Sequence, residues 1–150
     1  MNKLVFLLVS LLICSSVYAE STALKPIDPY YSHASSGEWQ KALPIIKGMV
    51  ESDPSIPSRW FQYGSCLEEL KMHAEAISAF KKAYELDATD FGSQYRIFRN
   101  YALAKDTEGF VAFAKAEAVK TPQILELISQ REEFKAIVSS EAYSAFLQQL

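Results

Sequence analysis

The chain has 150 residues, with 15 basic and 18 acidic side chains and a formal net charge of −3. That balance excludes the concentrated positive charge of a nucleic-acid binder, and two cysteines exclude a disulfide-rich scaffold. Only five glycines and six prolines, against abundant Ala, Leu, Glu and Lys, point to helices.

Residues 1–19 have the layout of a secretory signal peptide. Lys3 supplies the positive start, Leu4 to Ile13 is apolar except for Ser10, and Val17 and Ala19 suit cleavage before Glu20. The apolar run is shorter than the roughly 20 residues of a membrane span, so no stable span is expected after cleavage. Two alternatives stand beside this reading. One is an uncleaved anchor. The other is a lipid anchor through Cys14, because Leu11-Leu12-Ile13-Cys14 resembles the lipoprotein box, although that box has a small residue where Ile13 stands. Cleavage would take Lys3 from the 15 basic residues and leave 14 against 18 acids, a net charge of −4. Cys66 would then have no partner for an internal disulfide, and a small buried helix residue is the expectation for it. The expected address is periplasmic or secreted. The remaining 131 residues, 20–150, suit one domain.

Along that domain the pattern repeats. Trp39-Gln40-Lys41-Ala42-Leu43 aligns with His73-Ala74-Glu75-Ala76-Ile77 at an offset of 34, and Thr107-Glu108-Gly109-Phe110-Val111 follows at another 34. The intervening loops keep step: Asp53-Pro54, Asp87-Ala88, Thr121-Pro122. Three units result, at about 23–55, 56–89 and 90–121, with a tail at 122–150. In the first, Asp28 is the expected cap of a helix with Pro29 in its first turn. Gly37 ends that helix, Glu38 opens the next, and Trp39, Ala42, Leu43 and Ile46 face inward despite Pro44 within the helix. In the second, Trp60, Tyr63, Leu67 and Leu70 form one helical stripe, and Ile77, Phe80 and Tyr84 form its partner. Gly64 and Ala76 are small where the two helices approach. The third unit sets Ile97, Phe98 and Tyr101 against Phe110, Phe113 and Ala114, with rings at the close contact that should push the helices apart or shift them. In the tail, Ile124, Leu127 and Ile128 form one inward face. Ser139 or Ser140 caps a last helix, Glu141 to Leu150, whose Tyr143, Phe146, Leu147 and Leu150 face in. Phe134, Ile137 and Val138 pack between these helices, and the tail covers the apolar end of the stack.

The 34-residue helix-turn-helix unit resembles the tetratricopeptide (TPR) repeat, as found in exported bacterial proteins. Trp60, Tyr63, Gly64, Leu67, Ala76, Phe80 and Ala83 stand at that family's core signature places, and Glu85-Leu86-Asp87 matches its usual helix exit. The resemblance covers residues 23–121. It departs at Ala88, where Pro is common, at Phe98, where the family has Gly, and at Phe110, where it has Ala. The fold it implies is all-α, a right-handed solenoid of about three helix pairs with a C-terminal capping pair.

The resemblance also implies a function without catalysis: binding a peptide or helix of another protein in a concave groove lined by the first helix of each unit. Carried over by position, that groove shows Tyr31, then Phe61, Ser65, Glu68 and Glu69, then Tyr95, Arg99 and Ala102. The three rings would form an aromatic strip and Arg99 would take a carboxylate. The alternative is that these side chains pack between repeats. His33 and His73 are the only imidazoles; neither they nor Cys66 form a cluster with metal-ligand or nucleophile spacing, and no phosphate-binding Gly-rich loop is present. Hence no cofactor, no metal and no enzyme are expected. The leading function is an adaptor or assembly factor of the cell envelope. A secreted factor acting outside the cell is the alternative, and an enzyme comes last.

Overall fold

The computed structural model describes residues 28–150; the expected signal peptide, Cys14 and the start of the first unit lie outside them. Among the described residues there are nine α-helices, one 3-10 turn and no strand. The helices are α1 (Pro29–Ser35), α2 (Trp39–Ser52), α3 (Pro57–Glu69), α4 (His73–Leu86), α5 (Phe91–Leu103), α6 (Thr107–Ala118), α7 (Gln123–Ser129), α8 (Lys135–Val138) and α9 (Glu141–Leu147), with the 3-10 turn at Glu132–Phe134 between α7 and α8.

Local chemistry sets these boundaries. Asp28, Asp90, Asp106 and Ser140 accept a bond from a first-turn amide of α1, α5, α6 and α9. Such a bond satisfies one of the amides that a helix start leaves without a partner. The exits of α1, α3 and α5 are the same motif three times. Gly37, Lys71 and Lys105, each 34 residues after the last, hold φ of 71°, 61° and 57°. In each, the left-handed residue and its successor return their amides to the last turn: Gly37 to Ala34 O and Glu38 to His33 O, Lys71 to Glu68 O and Met72 to Leu67 O, Lys105 to Ala102 O and Asp106 to Tyr101 O. This paired closure is the Schellman motif. The exits of α2 and α4 also match. Asp53 Oδ1 accepts from the Ser55 amide and hydroxyl, and Asp87 Oδ1 from those of Thr89, 34 residues on.

Because the turns are short, neighbouring helices run antiparallel, each packed on the next. Contacts across α3 and α5 or α4 and α6 join residues about one unit apart in sequence: Glu68 with Arg99, Tyr84 with Glu117. Corresponding helices therefore lie parallel, side by side. The tail folds back, with α9 on α6 and the 3-10 turn on α5.

Two buried clusters hold the stack. Tyr30, Ala42, Ile46 and Cys66 join the first pair to α3. The larger cluster runs from Leu67 and Phe80 through Ile97, Phe98 and Phe110 to Phe134, Tyr143 and Phe146. Each fully buried aliphatic or Phe side chain contributes roughly 1.5–3 kcal/mol. Close approach within the second pair depends on Gly64, where a Cβ would stand 2.9 Å from the Phe80 ring. In the third pair Phe98 fills the equivalent place and stacks obliquely on Phe110 at 4.9 Å and Phe113 at 4.8 Å. The small residue there is Gly109 instead, on the opposite helix, where a Cβ would run into the Tyr101 ring. The expected helix displacement thus takes the form of a contact moved along α5 and α6, which pack less closely than α3 and α4.

Several expectations need correction. Trp60 and Tyr63 are half-buried, their rings meeting edge to face at 6.1 Å, and the Trp60 indole N–H donates to Pro54 O at 2.8 Å. Trp60 is therefore a lid over the α2–α3 turn as much as a core residue. Leu127, Leu147 and Leu150 were expected to face in but are exposed. The last helix ends at Leu147, and the inward positions are carried by Ile124, Ile128, Tyr143 and Phe146.

Candidate functional site

The candidate surface is the face formed by α1, α3 and α5. Tyr31, on α1, is 51% exposed; its ring meets Tyr30 edge-on at 5.2 Å and its hydroxyl accepts from Gln62. Phe61, on α3, is half-buried against Phe80 at 5.4 Å. Ser65 turns its hydroxyl back onto Phe61 O at 2.9 Å, which leaves it no donor for a ligand. Tyr95, on α5, lies under the tail. Its ring packs edge-on against Phe134 at 5.8 Å, its hydroxyl donates to Glu133, and the Arg131 guanidinium sits 6.0 Å above it. Burial first, and then that bond, push the Tyr95 hydroxyl pKa above its ordinary value.

The three rings are each engaged in a contact of their own. Each packs on a different aromatic neighbour, and the third is claimed by the chain's own 3-10 turn. Glu68 and Arg99 do come together, but with each other. Glu68 is 5% exposed, and its carboxylate takes bonds from Arg96, Arg99 and the Asn100 amide. Asn100 in turn takes the His73 Nδ1–H on its Oδ1 at 2.9 Å, so α3, α4 and α5 share one polar knot. A buried carboxylate is tolerable because two guanidinium charges and an amide replace its water. The sequence expectation that Arg99 takes a partner's carboxylate is thus altered, since its charge is engaged within the fold.

Arg96 and Asn100 were not singled out from the sequence, and His73 was weighed there only as a metal ligand or a partner of a nucleophile. The signal was present for Asn100, which lies three residues after Ile97 and so beside the α5 apolar stripe. Gln94 is a second such residue. It and Tyr84 donate to the buried Glu117 carboxylate at 2.9 and 2.7 Å. Burial works against ionisation of Glu117, yet the bonds from Tyr84, Lys120 and Gln94 outweigh it and hold the pKa below the usual carboxylate value. Tyr84 is pushed up to about 12 by burial and by Glu117.

A second place on the same face lies at the first turns of α3 and α5, where Pro57, Phe61, Gln62, Asp87, Asp90 and Gly92 line a depression. A Cβ at Gly92 would stand 2.9 Å from Asp90 Oδ1, so the glycine leaves room for the Asp90 cap, and the Phe61 ring lies 3.5 Å away, at ordinary contact distance. Bonds from the Thr89 hydroxyl and amide hold the Asp87 carboxyl below its ordinary pKa.

The chain matches no protein-family model and no curated protein.

No group of three metal-ligating side chains occurs among the described residues. His33 Nδ1 donates to Glu38 at 2.6 Å in the α1–α2 turn. The buried Cys66 thiol points at Trp39 O, 3.4 Å away, and burial raises its pKa to about 11, which leaves it a poor nucleophile at neutral pH. No helix among the described residues is long and apolar enough to cross a membrane.

Proposed function

We propose that this chain is a TPR-type helical-repeat module that binds a segment of another protein on the α1–α3–α5 face, without catalysis, as an adaptor or assembly factor of the cell envelope. The observation that carries the reading is the recurrence of the same helix exit at Gly37, Lys71 and Lys105 and of the same Asp turn at Asp53 and Asp87, both at the 34-residue period. A unit that repeats its turns repeats its helix directions, so first helices line up along one side and second helices along the other. The seven residues that match the TPR signature fall in α3 and α4, the pair with the closest contact. Tyr31 and Phe61, on first helices, remain partly open to solvent. Rings on a preformed face lose little rotamer entropy when a segment docks. The export signal read from residues 1–19 supports the envelope address.

The test is photo-cross-linking in intact cells, with a photoreactive residue placed at Ser58 or Gln62 on α3, or at Lys82 on α4 as the control. The expected result is a discrete adduct from the α3 positions, reduced by the double change Tyr31→Ala and Phe61→Ala. Adducts from Lys82 alone, or none from any position, would overturn the reading. Tyr95 is left unchanged, because its loss would unseat Phe134 and confuse binding with stability.

A further inference from the structure

The sequence suggested a positive feature on the binding face, Arg99. In the structure that charge is engaged within the fold. Arg96 and Arg99 converge on Glu68, and Glu69 and Lys71 line the same recess with His73. There the three cations Arg96, Arg99 and Lys71 meet the two carboxylates of Glu68 and Glu69, so most of the positive charge is engaged by the chain's own residues. At the other end, Asp87 and Asp90 stand at the depression described above, and no cation of the described residues pairs with either one. The ion pairs found among those residues involve Glu38, Glu51, Asp53, Glu85, Glu68, Glu117 and Glu132. Asp87 spends only Oδ1 on the Thr89 turn, and no described donor reaches Oδ2. Asp90 caps α5 through Gly92 N at 2.9 Å and Ser93 Oγ at 2.6 Å. Between them Pro57 and the Phe61 ring make the apolar part of the wall, with Ser58, Gln62 and the Gly92 backbone beside them. Phe91, next in the chain, is 63% exposed, the most open aromatic side chain of the described residues.

An apolar wall with carboxylates at its rim matches a side chain that has an aliphatic stem and a cationic head. The stem covers the ring and the proline, and the head reaches the carboxylates. A cation against an aromatic face adds its own attraction. We propose that the depression at Pro57, Phe61, Asp87 and Asp90 receives an Arg or Lys side chain of the partner segment, so that the partner is basic rather than acidic. This rests on the binding-module reading above and names the chemistry of its partner.

The probes are three acetylated, amidated nonapeptides, identical except for a central Arg-Ser-Arg, Gln-Ser-Gln or Glu-Ser-Glu, titrated into the isotopically labelled chain and followed by backbone amide shifts. The Arg peptide should move the amides of residues 58–62 and 87–92 and bind at least about tenfold tighter than the Gln peptide, a difference of about 1.4 kcal/mol. Its affinity should fall with added salt. Asp87→Asn with Asp90→Asn removes both charges but keeps an oxygen acceptor for the turn and the cap, and should weaken the Arg peptide about tenfold. Ser58→Lys, which puts a cation at the depression without touching either cap, should do the same in case the paired Asn variant is unstable. Equal binding of the Arg and Gln peptides, preference for the Glu peptide, shifts confined to other residues, no saturable binding of the Arg peptide, or full affinity in Ser58→Lys would each overturn the proposal. If cross-linking from Ser58 traps a partner through an acidic or neutral segment, this inference fails while the module reading stands. If only Lys82 yields adducts, the module reading itself fails.

Discussion

The helix exits offer a test in which a residue type can be exchanged with its backbone conformation held constant. Gly37, Lys71 and Lys105 occupy equivalent places with nearly equal positive φ. A side chain in the left-handed region brings Cβ close to the following carbonyl, at a cost on the order of 1–2 kcal/mol. Glycine avoids that clash but gives up more chain entropy on folding, roughly 0.5–1 kcal/mol. The balance favours glycine by about 0.5–1 kcal/mol per site. Lys71→Gly and Lys105→Gly should each stabilise by that amount, and together by about 1–2 kcal/mol, because the sites are far apart and share no partner. Neither lysine side chain makes a hydrogen bond or ion pair among the described residues, so little is lost with it. The reverse change, Gly37→Ala, should cost about 1 kcal/mol through conformation alone, since a Cβ built there meets nothing within 4 Å. Urea unfolding followed by circular dichroism compares the four variants with the parent, with unchanged m-values required. A destabilised Lys71→Gly together with a neutral Gly37→Ala would show that these turns are not held in the left-handed region, and the repeat argument built on them would fall.

Two further outcomes follow from the polar groups. Glu68→Ala leaves Arg96 and Arg99 without their shared carboxylate; because both guanidiniums are about one-third exposed and can rehydrate, the cost should be about 1–3 kcal/mol, and thermal unfolding would show whether the polar knot supports the α3–α5 contact or only decorates it. Asp53 and Asp87 have folded pKa values below the ordinary carboxylate value, chiefly through the Ser55 and Thr89 hydroxyls, so their contribution is complete above the unfolded pKa of about 3.9 and is lost as pH falls through the folded values. The loss of melting temperature below about pH 4 should be shallower in the paired variant Asp53→Asn and Asp87→Asn than in the parent, and identical acid profiles would remove these turns from the account.

Much of the helical organisation was legible because it rests on local chemistry repeated along the chain. Asp28 with Pro29, Gly37 and Ser140 mark helix ends by rules that act over three or four residues, and the 34-residue offset sets the pairing of neighbours. The apolar stripes at Leu67, Ile77 and Phe80 and at Ile97, Phe98 and Tyr101 follow from helical spacing alone. Lys71 and Lys105 were not legible as left-handed residues, since lysine carries no signal for that conformation and only their alignment with Gly37 exposes it.

Tertiary structure alone decided what covers what. Nothing local says that Tyr95 meets Phe134, a pairing that depends on the tail folding back across α5. The sequence likewise leaves Glu68 and Arg99 as two neighbours on a surface, because helix spacing fixes the face a side chain takes but not the distance between helices. Their union through Arg96 and Asn100 arises where α3 and α5 lie parallel one unit apart. That union engages the arginines at one end of the α1–α3–α5 face within the fold and leaves the carboxylates of Asp87 and Asp90 at the other.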